Sequence, residues 1–245
     1  MQNKPHLFLI PGWAVNSSVW YCVADQLAQS YELCFYDFPG YGKRQNLDGN
    51  LTLEQLVDDA ISQSPPDAIW LAWSMGTLVA MEAARQAPDR IAALNLVCPT
   101  EKFMAEGDWP HGQTAAAIDN LSNRFQSDYQ TALKRFLLLQ AGTDASARKI
   151  AKQTLAEISQ HPQPSWPTLN SGLEILRQTD LRPVASQISV PTRIIVGKED
   201  RVIPAAAGID LHQRITGSTL IELATGHAPF IEQPAQFTDA VLAKI

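Results

Sequence analysis

Three side chains in this sequence have the types and the chain order that covalent acyl transfer needs. Ser74 comes first, in the segment WSMG, directly between the apolar run at 68–73 and a stretch with helical periodicity. A sharp strand-to-helix turn at such a point lifts a serine hydroxyl clear of a sheet, and small residues two positions before and after it let the turn close. Gly76 meets this demand, whereas Ala72 stands where glycine is usual. Because a serine that caps a helix gives the same short motif, the prediction of a nucleophile depends on the partners of Ser74.

His227 and Asp200 are the predicted partners of Ser74. A serine hydroxyl is a weak nucleophile near neutral pH and needs a base within hydrogen-bond reach. His227 lies in ATGHAPF, between the last strand-like run and the final helix, and Asp200 follows the preceding run in IIVGKEDRVIP. Ser, Asp, His is one of the chain orders in which such triads occur. Glu199 is the rival carboxylate, but the spacing to Pro204, which opens the next helix, favours Asp200.

An oxyanion hole is predicted beside Ser74. Attack on a carbonyl creates an oxyanion, which preorganised backbone N–H groups must stabilise. One donor should be Met75, because it follows the nucleophile at the start of a helix whose dipole favours negative charge. The other should be Trp13, in the loop IPGWAVN after the first apolar run, where Pro11 and Gly12 predict a turn.

The elements that must position these residues alternate between short apolar runs and longer amphipathic stretches. Runs of this kind suit strands that are buried on both faces, and their alternation with helical periodicity indicates βαβ units. Helices are expected near 17–29, 51–64, 75–87, after Pro204 and near 234–244. The sequence therefore predicts an α/β fold with a mostly parallel sheet flanked by helices. The strand-like runs are LFLI (7–10), ELCFY (32–36), AIWLAW (68–73), ALNLV (93–97), RIIVG (193–197) and TLIEL (219–223).

The alternation breaks between about residues 99 and 191. Four stretches there have helical periodicity, and no strand-like run appears among them. A helical insertion of this size between two strands of one sheet has to lie outside the sheet. We therefore expect an α/β core of residues 1–99 and 191–245 and a helical lid of residues 100–190, called the cap segment below. Its expected helices are AAAIDNLSNRF, YQTALKRFLLLQ, ARKIAKQTLAEI and SGLEILRQ.

Composition narrows the function classes. The 245 residues suit one compact domain, and a net charge of -6 argues against non-specific nucleic-acid binding. The three cysteines form no CxxC pair, no apolar run approaches the length of a membrane span, and the first run is too short for a signal peptide. We expect a monomeric cytoplasmic enzyme that contacts neither nucleic acid nor membrane. Neither metal-ligand spacing nor a dinucleotide-binding glycine motif is present, so no metal and no cofactor are expected.

With these residues identified, the chain resembles the α/β-hydrolase superfamily over nearly its whole length, with one or two leading strands expected to be missing. Within the superfamily it is similar to the pimeloyl-[acyl-carrier protein] methyl ester esterase family. The departures are Pro11, where the family has histidine, and Ala72 and Thr77, where it has glycines. Six segments carry the narrower resemblance: PGWAVNSSVW (11–20), AIWLAWSMG (68–76), DWP (108–110), RFLLLQ (135–140), SGLEILRQTDLR (171–182) and GHAPFIEQPAQF (226–237).

The resemblance implies a serine carboxylesterase of biotin synthesis that frees pimeloyl carrier protein and releases methanol. For such an enzyme we expect an apolar channel for the acyl chain, built from residues such as Trp73, Phe136 and Leu137. Family positions that line the substrate site are matched by Trp13, Ser74, Met75, His227 and the segment from Phe136 to Gln140.

The charge of the cap segment fits a carrier-protein partner. Carrier proteins are acidic, so an enzyme that binds one needs a local basic surface even if its overall charge is negative. Between residues 124 and 152 there are six basic side chains against two acidic ones. Helical periodicity places Arg148 and Lys152 on the solvent side of their helix. The resemblance implies that Arg135, Arg148 and Lys152 contact the carrier, while a merely solvated basic face remains the alternative.

Other functions stay open at this point. A general short-chain carboxylesterase or a carbon–carbon bond hydrolase could use the same triad with another pocket. A ligand receptor could keep the fold without turnover. Dehalogenases and epoxide hydrolases are not expected, because their nucleophile at this turn is a carboxylate and Ser74 cannot replace it.

Overall fold

A single parallel sheet forms the centre of the molecule. The computed structural model describes residues 4–140 and 144–244, except for the side chain of Gln140. Within them, six strands lie in the order β2-β1-β3-β4-β5-β6, and all five neighbouring pairs are parallel. Each strand coincides with a predicted apolar run, so the predicted α/β fold with a parallel sheet is confirmed. The strands are β1 (His6–Ile10), β2 (Glu32–Phe35), β3 (Ala68–Trp73), β4 (Ile91–Val97), β5 (Thr192–Gly197) and β6 (Thr219–Leu223).

Helices cover the sheet and fill the long insertion between β4 and β5. The central strands β3 and β5 are almost completely buried, whereas the edge strands β2 and β6 are partly exposed. This burial explains the continuous apolar runs of the central strands. The described α-helices are α1 (Tyr21–Leu27), α2 (Leu53–Gln63), α3 (Met75–Gln86), α4 (Ala115–Ser127), α5 (Tyr129–Gln140), α6 (Ala145–Ile158), α7 (Trp166–Gln178), α8 (Arg182–Ala185), α9 (Ala205–Arg214), α10 (Pro229–Glu232) and α11 (Pro234–Leu242).

The order of the strands brings several loops to one edge of the sheet. The chain runs from β1 to the edge strand β2 and then returns to place β3 on the other side of β1. The loops after β1 and β3 therefore diverge at their carboxyl ends, where open α/β sheets bind ligands. Ser74 follows β3 at this end, and Asp200 and His227 lie in the loops after β5 and β6.

The cap segment contains α4 to α8, and its two ends meet. The Leu181 N–H donates to the Glu101 carbonyl at 2.8 Å, so the chain leaves and re-enters the core at one place. Helix α6 is amphipathic, because Ala147, Ala151 and Ile158 are buried while its basic side chains are exposed. The four predicted helices of the segment are present as α4 to α7. Among the helices of the described residues, none has the length and apolar character that crossing a bilayer requires.

Candidate active site

Ser74 lies at a tight turn between β3 and α3. Its backbone has φ 54° and ψ −123°, a conformation that non-glycine residues rarely adopt. Its N–H donates to the Val97 carbonyl at 3.0 Å, which ties the turn to β4. Gly76 lets the turn close, because a Cβ there would lie 2.5 Å from the Pro11 carbonyl oxygen. Thr77, a departure from the family pattern, is buried and donates its hydroxyl to the Ser74 carbonyl at 2.6 Å.

The side chains of Ser74, His227 and Asp200 form one hydrogen-bonded chain. His227 Nε2 lies 2.9 Å from Ser74 Oγ, and His227 Nδ1 lies 2.7 Å from Asp200 Oδ2. His227 and Asp200 are both buried, while Ser74 is half-buried. An aspartate on Nδ1 fixes the tautomer whose Nε2 can accept the serine proton. The three residues therefore have the geometry of a serine nucleophile with its base and orienting carboxylate.

The loop after β5 holds the carboxylate of Asp200 in place. Its Oδ1 accepts hydrogen bonds from the N–H groups of Val202 and Ile203, at 2.7 and 2.9 Å. The other oxygen, Oδ2, is thereby directed at His227. Glu199, the rival in the sequence, has its N–H bonded to the Thr225 carbonyl and forms no contact of this kind with His227 among the described residues.

Two residues hold the loop that carries His227. The Trp73 indole N–H donates to the His227 carbonyl at 2.7 Å, and its ring is edge-on to Phe230 at 5.1 Å. Trp73 is fully buried, so its contacts are with the scaffold beneath the triad rather than with an open channel. The Glu232 carboxylate accepts the Gly226 N–H at 2.7 Å, and burial raises the pKa of Glu232. Sequence reasoning missed Glu232, whose one signal is its position five residues after His227.

The two predicted oxyanion donors flank Ser74. Met75 is the first residue of α3, so its N–H has no carbonyl partner within the helix. Trp13 lies in the buried loop after β1, and within the described residues its N–H has no protein acceptor. The neighbouring Gly12 approaches Ser74 closely, because a Cβ there would lie 3.2 Å from Ser74 Cβ. Within the described residues both N–H groups therefore lack a protein acceptor, and their role as oxyanion donors stays a prediction.

The side chain of Trp13 lies under the cap segment. Its indole N–H donates to the Leu169 carbonyl of α7 at 2.9 Å, and its ring is edge-on to Phe125 of α4 at 4.6 Å. Gly172 of α7 permits this packing, since a Cβ there would lie 2.5 Å from Trp13 Cδ1 and 3.4 Å from Met75 Sδ. Gly172 was not singled out from the sequence, because a glycine inside a helix reveals a close approach only when its neighbour is known.

The residues expected along the acyl channel lie in three different environments. Phe136 is half-buried and lines a cavity of about 370 Å³ between α4 and α5, together with Phe125. Leu137 is fully buried in the core. Gln140 ends α5, but its side chain lies outside the described residues. Ser74 is not among the residues that line this cavity.

The three residues expected to dock a carrier protein are exposed on two helices of the cap segment. Arg135 is on α5 and borders the cavity just described. Arg148 and Lys152 are on α6 and, with Lys149, line a shallow surface groove. Helices α5 and α6 pack against each other, so the basic side chains share one outer region of the cap segment.

Cys98 is a further chemically active group beside the triad. Its Sγ, a carboxylate oxygen of Asp200 and a ring nitrogen of His227 all lie within 4.8 Å of one another. Metal ions bind thiolates, but burial raises the pKa of Cys98 well above its ordinary value. Both nitrogens of His227 already have hydrogen-bond partners. The expectation of no metal stays a prediction.

Comparisons with known proteins identify the family of this chain. The family model described as alpha/beta hydrolase fold matches residues 5–234. A Klebsiella pneumoniae protein named pimeloyl-[acyl-carrier protein] methyl ester esterase is 36% identical over 240 residues, which cover 97% of this chain and 92% of that protein. A Serratia marcescens protein of the same name is 36% identical over 245 residues, covering 100% and 95%.

Solved structures share the fold at lower sequence identity. An esterase from Exiguobacterium antarcticum superposes with a TM-score of 0.86 at 24% identity, covering 99% of this chain and 92% of that one. An enol-lactonase from Burkholderia xenovorans superposes with a TM-score of 0.83 at 23% identity, covering 98% and 90%. The chain therefore belongs to the α/β-hydrolase family and, within it, to the family of its relatives named pimeloyl-[acyl-carrier protein] methyl ester esterase.

Proposed function

We propose that this chain is a serine carboxylesterase that hydrolyses the methyl ester of pimeloyl-[acyl-carrier protein], as the names of its relatives indicate. The observation that supports it most directly is the hydrogen-bonded chain from Ser74 through His227 to Asp200, with distances of 2.9 and 2.7 Å. The products are methanol and the carrier protein bearing a free distal carboxylate. The proposed setting is the cytoplasm.

The proposed reaction has two halves. In the first, Ser74 Oγ attacks the ester carbonyl while His227 Nε2 takes its proton, and the N–H groups of Trp13 and Met75 stabilise the oxyanion. Collapse of this intermediate breaks the bond to the methoxy oxygen, which leaves as methanol with the proton from His227. In the second, His227 activates a water that attacks the acyl-enzyme, and Ser74 regains its proton as the acid leaves. Asp200 stabilises the imidazolium in both halves.

The cap segment is proposed to bind the acyl chain and the carrier. The cavity between α4 and α5 is walled by Phe125 and Phe136, and each methylene buried against such a surface contributes about 0.8 kcal/mol. Arg135 borders the cavity, and the exposed Arg148 and Lys152 extend the positive charge along α6. An acidic carrier placed across α5 and α6 would meet this charge while its acyl chain enters the cavity.

Ser74→Ala tests the chemistry. Wild-type protein should release methanol from the carrier-bound methyl ester, and the variant should lose activity to the level of buffer on both this ester and a p-nitrophenyl ester. Because the variant lacks only one oxygen atom, its fold should be preserved, which circular dichroism checks. Equal hydrolysis by both proteins would remove Ser74 as the nucleophile, and no hydrolysis by wild type would favour a receptor without turnover.

A charge reversal tests the carrier. Arg148→Glu with Lys152→Glu should raise KM for the carrier-bound ester and leave p-nitrophenyl ester hydrolysis unchanged, since both side chains are exposed and lie outside the triad. Lys43→Glu with Lys244→Glu is the matched control, because it changes the net charge equally at exposed positions elsewhere. Rim charges act mainly on association and its salt dependence. If the two double variants turn over the carrier-bound ester alike, docking on α6 is wrong and a general short-chain esterase is favoured.

A further inference from the structure

The loop that carries Trp13 is held from outside by the cap segment. Three separate hydrogen bonds join residues 13–16 to three different helices. The Tyr129 hydroxyl on α5 donates to the Ala14 carbonyl at 3.0 Å. Asn16 Nδ2 donates to the Ile158 carbonyl at the end of α6 at 3.0 Å, and the Trp13 indole donates to Leu169 of α7 at 2.9 Å. The position of the loop therefore depends on side chains and carbonyls that are more than 100 residues away in the chain.

Ala14 is the strained point of this loop. Its φ of 65° is in the left-handed region, which residues with a Cβ adopt at a cost of about 1–3 kcal/mol and keep only when their surroundings enforce it. The carbonyl that accepts from Tyr129 is that of the strained residue itself. Because Ala14 directly follows Trp13, a relaxation at Ala14 would rotate the peptide that carries the Trp13 carbonyl, and Trp13 with its N–H would shift relative to Ser74.

Tyr129 is placed to prevent such a relaxation in two ways. Its hydroxyl fixes the Ala14 carbonyl, and its ring is edge-on to Phe125 at 5.8 Å, which in turn packs on Trp13. The side chain is buried, and burial raises the pKa of Tyr129, so the phenol keeps its proton and remains a donor. It does not reach the triad itself, since its one hydrogen-bond partner is the Ala14 carbonyl within the described residues.

We propose that Tyr129 is a positioning residue for the oxyanion hole, acting through Ala14 to keep the Trp13 N–H directed at the developing oxyanion. The inference rests on the proposed esterase function, in which Trp13 and Met75 are the donors. It assigns a part of the catalytic machinery to the cap segment, beyond binding the acyl chain. When an oxyanion donor is displaced, the transition state is stabilised less while substrate binding is unchanged. The loss therefore appears in kcat rather than in KM.

Tyr129→Phe tests this in the full chain, with Tyr36→Phe as the matched control. Each change removes one hydroxyl from a buried tyrosine, and the Tyr36 hydroxyl donates to Asp59 at 2.6 Å, away from the residue 13–16 loop. The readouts are kcat and KM for a p-nitrophenyl ester, Ki for an alkyl trifluoromethyl ketone, and Tm. The ketone forms a hemiketal oxyanion with the serine, so its Ki reports on the oxyanion hole.

For Tyr129→Phe we expect kcat to fall and Ki to rise by about tenfold each with little change in KM, because small misplacement of a catalytic group costs rate steeply. Tyr36→Phe should lower Tm comparably and leave kcat and Ki at wild-type values. The inference is overturned if Tyr129→Phe keeps wild-type kcat and Ki, or if Tyr36→Phe loses as much, since the effect would then follow stability alone. Failure of the proposed function is distinct: Ser74→Ala would then hydrolyse the ester as fast as wild type, which overturns both.

Discussion

The backbone conformation of Ser74 should make glycine more stable than alanine at this position. With φ 54° and ψ −123°, the residue lies where a Cβ is unfavourable. Ser74→Ala and Ser74→Gly both remove the hydroxyl and its 2.9 Å contact with His227. They differ only in the Cβ, so the difference between their free energies of unfolding reports on the strain at the turn, offset by the backbone entropy of glycine.

The size of the difference follows from two opposing terms. Strain of this kind costs about 1–3 kcal/mol, and glycine relieves it. Glycine also loses more backbone entropy on folding than alanine, which costs about 0.5–1 kcal/mol. We therefore expect Ser74→Gly to be more stable than Ser74→Ala by up to about 2.5 kcal/mol. At an ordinary helical position the sign reverses, because glycine is there about 1 kcal/mol less favourable than alanine.

Urea unfolding followed by circular dichroism measures the free energies of unfolding of both variants. The slope m, the dependence of this free energy on urea concentration, should be the same for both. Ala80→Gly in the Ser74→Ala background is the control, since Ala80 lies inside α3 with ordinary backbone geometry. A Ser74→Gly variant that is less stable than Ser74→Ala, by an amount similar to the loss at Ala80, would refute the strain. It would also mean that the backbone conformation of Ser74 costs no conformational free energy.

Three further predictions concern the carboxylate, the packing of the cap segment and pH. Asp200→Asn should lower kcat by about 10⁴-fold without loss of fold, because an amide favours the wrong tautomer of His227. If an ester assay shows that kcat falls by less than about tenfold, the role of Asp200 is wrong. Gly172→Ala should lower kcat/KM, because the new methyl would lie 2.5 Å from Trp13 Cδ1 and must push α7 and the Trp13 ring apart. Unchanged kcat/KM and unchanged Trp fluorescence would show that α7 moves to accept the methyl without disturbing Trp13. Burial raises the pKa of Glu101 from 4.5 to about 7. Between these pH values the folded state therefore keeps a proton that the unfolded state has lost. The free energy of unfolding should fall by about 3 kcal/mol as pH rises through this interval. Glu101→Gln should remove that fall in urea midpoints measured at pH 5 and pH 8, and an identical fall in the variant would assign it to other groups.

The strands and helices of this protein could be predicted because buried positions appear in the sequence as local patterns of apolar residues. All six apolar runs became strands of one parallel sheet, and the four helical stretches of the cap segment became α4 to α7. The order Ser, Asp, His also constrained the site, because parallel strands deliver their following loops to the same edge of the sheet. Ser74, Asp200 and His227 therefore could be named together, although Ser74 and His227 lie 153 positions apart.

The direction of a side chain in the central strands could not be predicted. A strand buried on both faces has no alternation of apolar and polar residues, so its sequence does not show which face each side chain lies on. Trp73 illustrates this, because it was expected along the acyl channel and instead lies fully buried with its indole bonded to the His227 carbonyl.

By itself, then, the sequence determined the class of fold, the position of the nucleophile turn and the residues able to form the triad. Only the tertiary structure decided which residues support them. Gly172 against Trp13, Tyr129 on the Ala14 carbonyl and Glu232 on Gly226 are contacts between groups whose own segments look ordinary. The physical reason is that periodicity and propensity are local, whereas the close approach of a cap helix to an oxyanion loop depends on how distant elements pack together.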